Sequence, residues 1–176
     1  MKKTLLFILF TLILSAPLYA QSKSNQHLKF MGIPIDGSIT NFQNKLIAKG
    51  FKYNKTASKA IDEPIRIFNG QFAGEKATIY VSYNRDLNLV YSVAATIERN
   101  TEDDIINLMS KFISNYENKY GIYAEKGDDA YDFYFDNGCI RLFYDEHVYS
   151  YGYALYILYT DKLNYEKHNT NNMDDL

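Results

Sequence analysis

The sequence predicts an α+β protein made of two tandem units, each one helix followed by an antiparallel β-meander, with the helices packed on one face of the sheet. Three observations carry that reading. First, residues 101–122 form a helix with marked ends. Thr101 has an N-cap side chain, Glu102, Asp103 and Asp104 place negative charge at the positive end of the helix dipole, and Gly121 suits a left-handed terminus. Ile105, Ile106, Leu108, Met109, Phe112, Ile113 and Tyr116 recur at spacings of three and four, giving one apolar stripe. Second, the apolar period falls to two after Ile65 and again after Tyr131, the signature of half-buried strands. Third, the order helix, glycine, apolar residue, hairpin and long strand occurs in both halves, predicting pseudo-repeats over 33–98 and 101–160.

From the start of the chain, Lys2 and Lys3 precede an apolar run over 5–16, then Pro17 and the small Ala20. This is the layout of a secretory signal peptide over 1–20, with cleavage predicted after Ala20. Its apolar core is shorter than the about 20 residues a spanning helix needs, so no stable membrane anchor is expected after cleavage. A single domain is expected over 27–162. Within it, 27–35 reads as an edge strand or docked arm, because Gly32 and Pro34 do not suit a central strand. Ser38 caps a helix predicted over 39–49, with Ile39, Phe42, Leu46 and Ile47 on one face. Gly50 ends it, and Phe51 can fold back on Leu46 in a Schellman motif. A brief strand over 51–53 and a polar loop over 54–64 follow. Ile65 and Ile67, then Ala77, Ile79, Val81 and Tyr83, then Leu87, Leu89, Tyr91, Val93, Ala95 and Ile97 alternate with polar residues. Asn69-Gly70 and Gly74-Glu75 are expected to break the first pair of strands, and 84–86 to turn the second.

After the long helix, 122–124 reads as a short strand and 125–129 as an acidic turn. Tyr131, Phe133 and Phe135 alternate with Asp132, Tyr134 and Asp136, Asn137-Gly138 is a hairpin signal, and strands over 139–145 and 148–160 complete the second meander. Residues 163–176 are polar and acidic, and disorder is expected there.

Charge and cysteine usage exclude several classes. The chain carries 19 Lys and Arg against 21 Asp and Glu, and signal removal takes Lys2 and Lys3 but no acid, leaving 17 against 21 and a charge of minus 4. Nothing in that balance favours nucleic acid. Cys139 is the single cysteine, so no internal disulfide forms and core packing must supply stability. Cys139 at a strand start reads as a packed thiol rather than a nucleophile. His27, His147 and His168 lack HxH or HxxxH spacing, so no metal site is predicted. Asp128, Asp129, Asp132 and Asp136 lack the glycine and terminal glutamate of a calcium loop. Neither a GxSxG elbow nor a phosphate-cradling loop occurs, so no catalytic residue and no cofactor is assigned.

The unusual feature is 17 Tyr and 11 Phe without a Trp. Tyr149, Tyr151 and Tyr153 share one face of the last strand with Leu155, Ile157 and Tyr159, while Gly152 and Ala154 on the other face would let the helix approach closely. On that reading the three tyrosines turn outward. Tyrosine offers a large contact area at low entropic cost, so they are the candidate partner-binding residues.

Over 39–160, the tandem order of helix and meander, without catalytic residues, resembles the β-lactamase inhibitor protein and PepSY-like secreted modules. The resemblance implies an aromatic sheet surface that clamps an enzyme. The chain departs from the inhibitor in having no disulfide, and no partner-contacting residue carries over. The expected function is an exported, periplasmic or extracellular, non-catalytic binding protein engaging a partner protein through an aromatic sheet face, in an inhibitor, immunity or envelope-assembly role. The alternatives are a small periplasmic hydrolase using acidic residues, or a sugar or lipid carrier.

Overall fold

The alternating segments assemble into an α+β structure dominated by one large antiparallel sheet. The computed structural model describes residues 26–146 and 152–173, so the leader stretch lies outside the described residues. The elements run β1 (Lys29–Phe30), β2 (Ile33–Pro34), α1 (Ile39–Ala48), β3 (Lys52–Tyr53), α2 (Lys55–Ala60), β4 (Ile65–Phe72), β5 (Glu75–Asn84) and β6 (Leu89–Arg99). They continue with α3 (Glu102–Tyr120), β7 (Glu125–Lys126), β8 (Tyr131–Phe135), β9 (Gly138–Glu146), β10 (Tyr153–Asp161) and α4 (Lys162–Met173). Eight strands form the main sheet in the order β3-β4-β5-β6-β10-β9-β8-β7. Its centre is the β6–β10 seam, in register from Tyr153 opposite Arg99 to Thr160 opposite Ser92.

Helices α1 and α3 begin and end where their sequences direct. The Thr101 hydroxyl accepts the Asp104 N–H at 3.2 Å, and Gly121 adopts φ 68° while its N–H donates to the Glu117 carbonyl. At the end of α1, Gly50 donates to Ile47 and Phe51 donates to Leu46, the paired bonds of a Schellman motif, with Phe51 buried. Ile39, Phe42 and Leu46 enter the core, but Ile47 is exposed. It lies one residue past Leu46 and therefore about 100° around the helix.

Several local expectations are corrected. The residues 54–64, read as loop, contain α2, because the Asn54 side chain accepts the Ala57 N–H and the Ser58 hydroxyl accepts the Ile67 N–H of the adjoining strand. Asn69-Gly70 does not break β4. Gly70 is there because the Phe51 ring occupies the space a Cβ would need, and the hairpin turn is Ala73-Gly74, with φ 52° and 87°. In β6 the predicted parity fails midway: Ser82 pairs with Ser92 but Tyr83 pairs with Val90, so Tyr91 is an extra, unpaired residue. Val90 and Val93 consequently both face the core, while Tyr91 stacks on His168 of α4 at 4.2 Å. The arm over 27–35 forms its own hairpin, β1–β2, and buries Leu28, Phe30, Ile33 and Ile35.

The tail expected to be disordered is helical over Lys162–Met173. Asp161, fully buried, starts it: one carboxylate oxygen accepts the Asn164 N–H, the other accepts the Leu28 N–H, and His27 lies 3.0 Å away. The Asn164 side chain then donates to the carbonyls of Ile35 and Val90. One contiguous core joins the arm, α1, α3 and the sheet. Phe30 stacks on Phe72 at 5.2 Å and Phe72 on Phe112 at 5.8 Å, while Phe30 meets Tyr159 edge-on. Each such ring contributes about 2–3 kcal/mol by burial.

Candidate binding face and rim cleft

Of the three tyrosines the sequence singles out, Tyr149 and Tyr151 lie outside the described residues. Tyr153 opens β10, opposite Arg99 and Glu146. It shares its side of the strand with Leu155, Ile157 and Tyr159, all of which are core residues, so Tyr153 does not point away from the helices. For Tyr153 the outward placement does not hold, because Ala154 lies on the opposite side and Gly152 approaches the Arg99 backbone rather than a helix. A Cβ at Gly152 would stand 2.8 Å from the Arg99 carbonyl oxygen.

Tyr153 instead lines a rim cleft of about 640 Å³, between Glu102, Ile106 and Met109 of α3, the loop before β8 and the end of β9. Its ring is 6.5 Å from that of Tyr144, whose hydroxyl donates to Glu102 at 3.1 Å. That hydrogen bond raises the Tyr144 phenol above its ordinary range; burial and then the Glu102 and Glu146 charges raise that of Tyr153. Both rings therefore stay neutral at neutral pH.

The face opposite the core is organised by register. Thr78, Thr96, Tyr156 and Phe143 lie in one row across β5, β6, β10 and β9, and Tyr80, Ala94, Leu158, Arg141 and Asp132 lie in the next. Phe143 and Tyr156 stack with centroids 4.9 Å apart and planes 12° apart, and both remain partly exposed. The Tyr156 phenol is raised first by burial and then by the Asp145 and Glu98 charges; burial and then Tyr156 raise that of Tyr80. Tyr134, two residues from Asp132 on the same side of β8, is 55% exposed.

Tyr156 shares its side of the strand with Ala154, the side that the sequence turns toward the helix, so the stack is not expected from the sequence. The period of two finds it once the buried side of β10 is read from Leu155, Ile157 and Tyr159.

Arg141 reaches back across the strand to Asp132 through two bonds, 2.7 and 2.8 Å. The guanidinium hydrogen bond holds the Asp132 carboxyl below the ordinary carboxylate range. Cys139 lies 3.8 Å from the same carboxylate, and burial followed by the Asp132 charge pushes its thiol up to about 11. A thiol so placed is protonated at neutral pH and is a poor nucleophile. His27 is engaged by Asp161, His168 lies against Tyr91 and Asn84, and His147 is outside the described residues. Among the described residues no three His, Cys, Asp or Glu side chains gather in a metal-binding group, and no helix is long and apolar enough to cross a membrane.

Comparison with known proteins adds no kinship at either level: no family model, curated protein or solved structure matches this chain.

Proposed function

We propose that the protein is an exported binding protein, built from two tandem helix-and-meander units with α1 and α3 on one side of the sheet, that engages a partner protein through the aromatic face on the other side. The observation that carries this reading is the partly exposed Phe143–Tyr156 stack, with Tyr80 in the neighbouring row, on the face away from the core. Stacked aromatic rings beside small residues such as Ala94 and Thr96 make a rigid, low-entropy contact surface of the kind that dominates interfaces. The sheet order supports the tandem reading, since β5, β4 and β3 run outward from β6 as β9, β8 and β7 run outward from β10. Export rests on the leader sequence over 1–20.

A binder is favoured over a lipid carrier because the space between α3 and the sheet is filled by Phe72, Phe112, Tyr116 and Tyr159. The test is capture from envelope and secreted extracts with mature protein as bait. Beside it stand a Phe143→Ser, Tyr156→Ser bait and a Tyr149→Ala, Tyr151→Ala, Tyr153→Ala bait, each shown to be folded. One protein held by the native bait and lost with the first variant supports the sheet face; loss only with the second moves the contact to the rim. Equal recovery with all three baits sinks the reading.

A further inference from the structure

We infer that the partner meets this face with a cationic protein segment, whose apolar side chains lie on Phe143 and Tyr156 and whose arginine or lysine enters the adjoining groove between Asp129 and Asp145. The inference rests on the binding reading above and adds the chemistry of the partner. The groove, about 450 Å³, is lined by Asp129, Ala130, Arg141, Phe143, Tyr144 and Asp145. It is continuous with the aromatic stack, because Phe143 belongs to both.

Charge selects the occupant. Between residues 122 and 146 the sequence has seven carboxylates against only Lys126 and Arg141. Arg141 is held by Asp132 through two hydrogen bonds, so its charge is largely answered within the sheet. The rim cleft shares Asp129 and Asp145 with this groove and adds Glu102, Asp128 and Glu146 against the single cation Lys126. Negative potential therefore reaches the groove from both sides of the sheet margin. An anionic segment would meet these carboxylates at a cost, and a purely apolar one would desolvate them without compensation. Arginine satisfies both demands of the site, since its guanidinium pairs with carboxylates and its plane stacks on aromatic rings.

The experiment uses isotope-labelled mature protein and three synthetic peptides in which valine alternates with arginine, with glutamine or with glutamate. The arginine peptide is expected to shift the backbone amides of Phe143, Asp145 and Tyr156, to bind about tenfold more weakly to Asp129→Asn, Asp145→Asn protein, and to weaken as salt rises. Tyr156→Ser is expected to weaken binding by a similar factor, while Tyr156→Phe, which keeps the ring, preserves it.

Equal binding of all three peptides at this face would overturn the cationic assignment and leave the docking face standing. Absence of shifts at the three amides with the arginine peptide at millimolar concentration would overturn the assignment too, and the capture experiment would then judge the docking face independently. Concentration-dependent shifts of the same amides without peptide would make a second copy of the chain the occupant and overturn the assignment.

Discussion

Tyr116 and Tyr159 meet hydroxyl to hydroxyl at 2.6 Å, both buried, one from α3 and one from β10. Burial pushes both phenols well up, so both stay neutral and the pair is one donor and one acceptor closed on each other. Removing one hydroxyl strands the other in an apolar core. Tyr116→Phe is therefore expected to cost about 1–3 kcal/mol, whereas Tyr116→Phe with Tyr159→Phe is expected to cost clearly less than the sum of the two single changes. Urea unfolding of the three variants measures this; additive costs would show that the hydroxyls act separately. The sequence placed Tyr116 on the apolar stripe of its helix, which holds, but it turned the side of β10 shared by Tyr159 and Ile157 away from the helix, whereas that side is the core. That their oxygens touch depends on helix docking against a strand 43 residues away, which no local period encodes.

The same limit acts at the scale of elements. Caps, Schellman glycine and alternating strands were legible because each is decided within a few residues, as Thr101, Gly50 and Ile79 show. What escaped was decided by tertiary partners: Gly70 is a packing glycine under Phe51, Tyr91 is expelled by a register shift, and α4 has little apolar periodicity. Its first turn is fixed by Asp161 and Asn164, polar residues whose partners are the Leu28 N–H and the carbonyls of Ile35 and Val90. Asn164→Ala would leave those two buried carbonyls without their donor. The expected cost is about 2 kcal/mol, with faster hydrogen exchange in both α4 and the arm over 27–35. Faster exchange in α4 alone would mean that the arm is held by its apolar contacts and not by this clasp. The candidate site divides in the same way. Tyr80 could be read from its strand's alternation, whereas pairing Phe143 with Tyr156 required the β9–β10 register.

For the molecule as a whole, the β6–β10 seam joins the strands β3 to β6 to the strands β7 to β10 in one sheet. Ile157 sits at the seam, opposite Ala95 on one side and Leu142 on the other, and is fully buried in the cluster that also holds Ile79 and Ile140. A cavity there removes contacts from both meanders at once. Ile157→Ala is expected to cost about 3 kcal/mol, and the loss should register equally in β4–β5 and in β8–β9 when exchange is followed across the whole chain. If the first meander kept its native protection while the second lost it, the halves would be separately stable units joined at an edge. Unison is the expected result, because the core runs unbroken from Phe68 and Ile79 through Ile157 to Phe133, and the arm closes it at Phe30. The proposed aromatic face lies on the reverse of that same seam, with Tyr156 one residue before Ile157. A partner seated on Phe143 and Tyr156 would thus rest on interior strands of the sheet, which gives the proposed surface the rigidity that tight association requires.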